Sequence, residues 1–332
     1  MLSKNNVVLV TGGTGFTGAV LVRKLCETGC EVRVIARASS NRSDLQDLDI
    51  KWIEGNVYDP QAVAAAAHNV DYIFHVAAAY REAKIEDEVY QLVHVNSTRL
   101  LTEAALKNPS FKRFIHISTV GVLGHIDKPP ADESTPYNPG DMYQETKTTA
   151  EKWLLDFARD RDLPITIIRP AAIYGPGDRR LLKVFKMAKL PIVPLLGFTR
   201  GLYHLIHVDD LVQFMIHVAD HPNTKGQVYI CGNPQATSIK DIIRVVGEYF
   251  GKQPRFLRLP AWPFFLLGHL CETICKPLNI EPPIYPRRVA FFTKDRSFDT
   301  SKMRRDTDFQ YKYTNEDGLR ATAEWYRQNN WL

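Results

Sequence analysis

Thr11-Gly12-Gly13-Thr14-Gly15-Phe16-Thr17-Gly18 separates the apolar run Val7-Val8-Leu9-Val10 from Ala19-Val20-Leu21-Val22-Arg23-Lys24-Leu25. Its pattern is a buried strand, a glycine turn and the first turn of a helix. Gly12 allows the tight turn, Gly15 lets backbone approach a diphosphate without a Cβ in the way, and Gly18 lets helix and strand pack closely. Thr14 and Phe16 stand beside Gly15 in the same turn. The amides and positive dipole end of the helix would then face the phosphates.

Working outward, the helix should end near Thr28 and Gly29, followed by a second strand, Glu31 to Ala36, apolar enough for burial on both faces. A carboxylate about 20 residues beyond the glycines would hold a ribose hydroxyl. Here Ala36-Arg37 is followed by Ser39, Ser40 and Arg42. Two guanidiniums and two hydroxyls suit a 2'-phosphate, which points to NADP, with NAD as the alternative.

A third strand, Ile50 to Glu54, leads into the turn Gly55-Asn56-Val57, placed where an adenine would lie. A helix over Gln61 to His68, a strand over Asp71 to Val76 and the small residues Ala77-Ala78-Ala79 follow. The rhythm predicts right-handed crossovers and a doubly wound parallel sheet of Rossmann type. The spacing of apolar residues predicts a helix over Glu88 to Lys107, then a strand over Phe114 to Ile117 ending at Ser118-Thr119.

After a loop rich in Pro, Gly and Asp comes Tyr143-Gln144-Glu145-Thr146-Lys147, opening a helix to about Asp160. Tyr and Lys four apart share one helix face. With 14 tyrosines and 19 lysines in 332 residues, about one such pair arises by chance. Tyr80 and Lys84 form a second, read as a cleft rim or plain surface. Only Tyr143 follows a strand ending in a hydroxyl pair and begins a long helix leading to another strand, Ile165 to Ile168.

Beyond Arg169-Pro170, the turn residues of Ile173-Tyr174-Gly175-Pro176-Gly177-Asp178 end that strand. A helix over Arg180 to Lys189 and an apolar, Pro-containing stretch, Leu190 to Phe198, break the rhythm. His207-Val208-Asp209-Asp210-Leu211 opens another helix, with Asp209 or Asp210 able to serve its first turn, and Val228 to Cys231 is one more strand. From Ser238 onward the chain reads as helical and irregular, punctuated by Pro260, Pro263, Pro277, Pro282, Pro283 and Pro286.

Composition is that of an ordinary soluble globular protein, with 45% hydrophobic and 24% charged residues. The 42 basic and 37 acidic residues leave +5, and no basic run is dense enough for nucleic acid. Five cysteines without zinc spacing predict free thiols, a reducing cytoplasm and no metal site. The N-terminus runs straight into the first strand without a signal peptide. The most lipid-like stretch, Trp262 to Leu270, is interrupted by Pro263 and His269 and falls short of a membrane span. It would touch a membrane surface or a greasy ligand.

These motifs together resemble the extended short-chain dehydrogenases/reductases, the NAD-dependent epimerase/dehydratase superfamily, over most of the chain. The resemblance rests on the glycine turn, Ser118-Thr119, Tyr143 with Lys147, Arg169-Pro170 through Gly175-Pro176-Gly177, and His207-Val208-Asp209-Asp210. It implies a Rossmann domain over 1–174 with 202–232 returning to it. A smaller, mostly helical substrate domain would take 175–201 and 233–332. By position, Thr119 would be the catalytic hydroxyl with Ser118 beside it, Tyr143 the acid/base, and Lys147 the holder of the nicotinamide ribose. Asn56 and Val57 would meet adenine, Ala77 and Ala78 the middle of the cofactor, and Pro170 and Ile173 its nicotinamide end. Pairing through the helices Glu88 to Lys107 and Thr148 to Asp160 would make a homodimer.

Within the family, sugar-nucleotide dehydratases usually carry an acid just after the catalytic Thr, where Val120 and Gly121 stand here, and uridine-sugar epimerases an Asn where Ala172 stands. Arg-Pro-Ala-Ala-Ile-Tyr-Gly-Pro and the arginine after the second strand look like the dihydroflavonol reductase and 3β-hydroxysteroid dehydrogenase branch. Trp262, Phe264, Phe265, Leu266 and Leu267 would line an apolar substrate pocket or form small-domain core. The expectation is an alcohol/ketone oxidoreductase for a small-molecule substrate. An epimerase or dehydratase of activated sugars and a non-catalytic NADP-binding sensor are the alternatives.

Overall fold

The computed structural model describes residues 2–79, 86–198, 201–275, 282, 286, 289, 293 and 295–332. The Tyr80/Lys84 pair, Pro277 and Pro283 lie outside the described residues. The chain opens with β1 (Val7–Thr11), α1 (Phe16–Glu27), β2 (Glu31–Ala36), β3 (Lys51–Glu54), α2 (Pro60–Ala67) and β4 (Tyr72–His75). It continues through α3 (Asp87–Tyr90), a π-helical turn (Gln91–Asn96), α4 (Ser97–Leu106), β5 (Arg113–Ile117), α5 (Met142–Arg161) and β6 (Ile165–Pro170). Next come β7 (Ala172–Tyr174), α6 (Leu182–Met187), β8 (Ile192–Leu196), β9 (Leu202–Tyr203), β10 (Leu205–His207), α7 (Val208–Asp220) and β11 (Gln227–Cys231). The remainder is β12 (Thr237–Ser238), α8 (Ile239–Tyr249), β13 (Arg255–Leu259), α9 (Trp262–Cys275), α10 (Ser301–Thr307) and α11 (Asn315–Gln328).

Seven strands form one parallel sheet in the order β11-β6-β5-β4-β1-β2-β3. Alternate residues of β1 feed opposite layers. Val8 and Val10 pack with Leu21 and Leu25 of α1 and with α7, whereas Leu9 packs with Val63 of α2, Leu101 of α4 and Leu154 of α5. The sheet is therefore covered on both faces, as its near-continuous Val/Ile strands require. Strand order reverses between β1 and β4, so the crevice beyond their C-terminal ends is where such a fold accepts a ligand. This is the Rossmann-type α/β architecture that the alternation of strand and helix predicts.

A third apolar cluster lies apart from the sheet, joining Phe185 of α6, Ile242, Ile243 and Val246 of α8, and Leu319, Ala323 and Tyr326 of α11. Val193 of β8 and half-buried Phe256 of β13 pack into it. The apolar stretch 190–198 contains β8, which pairs in parallel with β13. Its Pro194 obscures the strand in the sequence, because proline is admitted only at sheet edges and this ribbon has two strands.

One helix expectation changes, and the start of α7 gains a cap besides Asp209 and Asp210 in its first turn. The helix over 88–107 is interrupted by the π-helical turn at 91–96. At the start of α7 the side-chain cap is His207, whose Nδ1 accepts from the Asp209 amide at 3.2 Å. Asp210 turns away and accepts from the amides of Lys312 and Tyr313 at 2.7 and 3.3 Å, pinning the C-terminal loop to the sheet domain.

Candidate active site

The glycine turn is assembled by close approach. Gly12 has φ +71°, and a Cβ there would stand 2.7 Å from the Ala77 amide nitrogen. A Cβ on Gly18 would stand 2.0 Å from the Gly12 carbonyl oxygen, so only glycine admits this packing of helix on turn. Gly15 differs. Its backbone (φ −84°, ψ 171°) suits any residue, and a Cβ there would touch only the Gly12 oxygen at 3.4 Å. Among the described residues no packing demand accounts for glycine at this position. The space beside it, at the start of a helix with no side-chain cap and no acidic residue in its first turn, fits an anion approaching the backbone.

Contacts tie several of the other expected binding positions to the turn or to its neighbouring strands. Thr11 Oγ1 accepts from the Ala77 amide at 3.3 Å, tying the end of β1 to the residues after β4. Ala77 is buried and Ala78 exposed. The Phe16 ring stands 3.9 Å from where a Gly177 Cβ would be, and Arg180 lies over that ring while donating to the Ile173 carbonyl at 2.6 Å. The glycine turn and the loop beyond Pro170 and Ile173 thus meet. Gly55 donates to the Ala36 carbonyl at 3.1 Å, which sets Asn56 and Val57 beside the end of β2, and Thr14 is half-buried in the glycine turn. Arg37 is exposed there. Arg42 stacks over Trp52 at 4.8 Å and stands 3.9 Å from Glu54.

Asp141 fixes the entry of α5 by accepting from the Gln144 amide at 2.9 Å. That cap places Tyr143 in the first turn and Lys147 one turn on. Lys147 is fully buried and its Nζ donates to the Ile117 carbonyl at 2.9 Å, at the C-terminal end of β5. Burial pulls its ammonium down to about 8, with Glu151 opposing the fall. The Tyr143 ring stands edge-on to His94 at 5.3 Å and to Tyr90 at 6.5 Å. Thr119 Oγ1 accepts from the Gly121 amide at 3.0 Å, and a Cβ on Gly121 would lie 3.2 Å from that oxygen and 3.3 Å from Gln144 Nε2, so Thr119 lies near the start of α5. Ser118 does not join this group. Its hydroxyl donates to Glu151, a short hydrogen bond inside the core.

Three residues that the sequence reading did not single out, Glu151, His94 and His75, lie beside these groups. Glu151 lies one further turn along the Tyr143-Lys147 face, fully buried, and accepts from Arg169 Nε and Nη2 at 2.9 and 2.6 Å and from the Tyr137 hydroxyl at 3.0 Å. Breaking such a buried pair costs about 3–5 kcal/mol because one charge is left uncompensated. His94, on the π-helical turn, accepts from the Ala79 amide at 3.1 Å and meets Thr146 at 2.8 Å. His75 bridges Thr11 and Ser97 at 2.8 and 3.1 Å. The spacing Tyr-xxx-Lys-xxx-Glu was a readable signal for Glu151; His94 offered none, since a π-turn changes which residues share a face, and His75 reads as one more buried position at the end of β4.

The Trp262 to Leu267 stretch is corrected. Trp262, Leu266 and Leu267 are exposed rather than core, while Pro263, Phe264 and Phe265 are half-buried. The cysteines are free, and no metal-holding group occurs among the described residues.

Residues 8–232 match the NAD dependent epimerase/dehydratase family. A ceramide reductase from Caulobacter vibrioides is 27% identical over 334 residues, covering 98% of this chain and 96% of its own. A 3 beta-hydroxysteroid dehydrogenase/Delta 5-->4-isomerase from Mycobacterium tuberculosis is 29% identical, covering 96% and 90%. The UDP-glucose 4-epimerase of Thermotoga maritima, solved with UDP-glucose, superposes with a TM-score of 0.77 at 24% identity, covering 98% of this chain and 99% of that one.

Gly12→Ala and Gly15→Ala should therefore separate. The first should lose at least about 2 kcal/mol, from a left-handed backbone and a collision with residue 77. The second should keep the urea midpoint of the parent while its affinity for a pyridine dinucleotide falls by about tenfold or more. Equal stability losses in both would contradict the reading of Gly15.

The buried histidines give a pH dependence. Burial lowers His75 to about 3 and pushes His94 and His116 well below the ordinary range, whereas an unfolded histidine titrates near pH ~6.5. The folded chain stays neutral at these rings while the unfolded chain takes up protons. Stability is therefore full above about pH 6.5 and falls with acidification by up to about 1.4 kcal/mol per pH unit for each ring. Among the described residues both nitrogens of His116 lack a hydrogen-bond partner, and its ring stacks on Phe114 at 17°. His116→Phe should keep the stack and make the loss of urea midpoint between pH 7 and pH 5 shallower; an unchanged loss would contradict this.

Proposed function

Because the chain belongs to the NAD dependent epimerase/dehydratase family, and is an enzyme of the extended short-chain dehydrogenase type, we propose that it interconverts a secondary alcohol and a ketone with NADP(H). The observation that carries this reading is the buried Lys147 ammonium, held by the Ile117 carbonyl one helical turn from Tyr143. A free phenol titrates near pH ~10, too high for a base at neutral pH. A cation one turn away favours the phenolate and brings the pair toward the working range.

The bound cofactor would supply hydride exchange at its nicotinamide carbon. In reduction, Tyr143 gives its phenolic proton to the carbonyl oxygen as that oxygen becomes an alcohol, and in oxidation it takes the proton back. Thr119 donates a hydrogen bond to the same oxygen and fixes its position, and Lys147 stabilises the phenolate between turnovers. The Phe16-to-Gly18 amides would hold the diphosphate, with Ala77 and Ala78 beside the middle of the cofactor, Asn56 and Val57 on its adenine side and Pro170 and Ile173 on its nicotinamide side. Ser118 supports the site through Glu151.

Arg37 supports NADP over NAD, because it ends β2 as an exposed guanidinium where NAD-dependent folds use a carboxylate. The relatives named for ceramide and hydroxysteroid support an apolar substrate. Val120 and Gly121 offer no acid for dehydration and Ala172 no amide for a uridine, which makes the sugar-nucleotide reading second. The free thiols support a reducing, cytoplasmic setting. No described helix is long and apolar enough to cross a membrane. A homodimer would form through α4 and α5, whose outer faces carry Arg99 over Trp153 and the Trp153–Phe157 stack. The domain division at 174/175, with 202–232 returning, is supported by β11 joining β6 in the main sheet while α6, α8 and α11 share a separate cluster.

Tyr143→Phe should abolish NADPH turnover across a ketone panel while NADPH binding, read by fluorescence, stays within about twofold of the parent, a shift of less than 0.5 kcal/mol. Full activity in this variant would refute the acid/base assignment. Separately, Arg37→Ala should raise the Kd for NADPH by about tenfold or more, the worth of a charge-assisted hydrogen bond, and leave that for NADH unchanged. An equal effect on both cofactors would contradict a 2'-phosphate contact.

A further inference from the structure

The geometry points to α9 as an interfacial helix that docks the protein on an anionic phospholipid surface. This goes beyond the oxidoreductase reading and does not rest on it. On α9, Trp262 (70% exposed), Leu266 (56%), Leu270 (51%) and Ile274 (63%) recur every four residues, with Leu267 beside them. At 100° per residue these five fall within one arc, and the other exposed positions of that arc, His269 and Thr273, carry no carboxylate or permanent charge. Gly268 is the buried residue of the helix and marks its opposite, inward side. A soluble surface rarely leaves such a continuous apolar stripe uncovered.

Neighbouring elements extend the apolar surface. Gly197 donates to the Leu259 carbonyl at 2.8 Å, and a Cβ on it would meet Ala261 at 3.9 Å, so the end of β8 lies against the start of α9. Phe198, the next residue, is exposed, as is Leu257 on β13.

Charge identifies the occupant. The described segments 179–198 and 239–275 hold 10 of the 42 Lys+Arg residues but three of the 37 Asp+Glu residues. This one lobe therefore carries more positive charge than the whole chain nets, and the remainder is acidic. Arg255 and Arg258 stand exposed on the strand leading into α9, with Arg258 donating to the Phe198 carbonyl at 2.9 Å, and Lys252 precedes them. A second copy of the chain would bring the same cations against one another. An anionic leaflet complements them and accepts the apolar stripe below its headgroups. Fourteen residues of helix reach about 21 Å, too short to cross a bilayer of about 30 Å, so α9 lies along the surface.

The test is sedimentation of the full chain with vesicles of phosphatidylcholine alone and of an equal mixture of phosphatidylcholine and phosphatidylserine. The parent should bind the anionic vesicles at least about tenfold more tightly than the neutral ones, and added salt should weaken that binding. Leu266→Glu with Leu270→Glu should lose the binding while its circular dichroism and thermal midpoint match the parent, since both side chains are exposed. Lys252→Glu with Arg255→Glu should reduce the preference for phosphatidylserine. Absence of vesicle binding by the parent, or binding that survives the leucine substitutions, would overturn the proposal. So would a concentration-dependent dimer in analytical ultracentrifugation that the same leucine substitutions abolish, because the stripe would then be covered by a second copy.

Discussion

Burying an ammonium in the middle of a protein is costly unless its surroundings are arranged for it. Lys147 meets that condition at one place, where the parallel sheet ends and the Ile117 carbonyl points at Nζ. The rest of the site follows from that constraint. Helix α5 must begin at Asp141 so that its second turn passes over the end of β5, and Glu151 must lie one turn further to keep a negative charge in range. Glu151 is itself buried, which requires Arg169 from β6, Ser118 from the end of β5 and the Tyr137 hydroxyl. One cation thereby fixes the relative positions of two strands, a helix and a loop.

The same economy governs the histidines. His75, His94 and His116 are buried within reach of the Lys147 charge, which joins burial in keeping them neutral. A neutral ring can accept on one nitrogen, and His94 uses that capacity to take the Ala79 amide and so shape the chain after β4. The π-helical turn at 91–96 is what brings His94 to that amide and to Thr146 together. Such turns recur at functional sites because they re-aim side chains that a regular helix would send elsewhere.

Most of the sheet was legible in the sequence because parallel strands buried on both faces leave short Val/Ile runs between glycine and proline signals. Gly12 and Gly18 were legible for the same reason that they are indispensable, a positive φ in one case and a backbone contact in the other. Tyr143 and Lys147 stood out by position. What stayed hidden depends on distant partners. Nothing near Asp210 in sequence shows that its carboxylate reaches across to residues 312 and 313, and nothing near Ser118 shows that Glu151 claims its hydroxyl. Pro194 disguised β8, and the apolar residues of α9 looked like core or pocket because hydrophobicity alone does not tell inside from outside.

The central claim is that a cation-supported phenol and a diphosphate-binding turn face the same crevice, where strand order reverses between β1 and β4. A crystal structure of the chain soaked with NADP tests it most directly. The account predicts the diphosphate on the amides at the start of α1 and the nicotinamide ring in contact with the Tyr143 oxygen, with Lys147 Nζ bonded to the adjoining ribose. A nicotinamide lying on the far side of the sheet from Tyr143, or a dinucleotide bound away from the glycine turn, would contradict it.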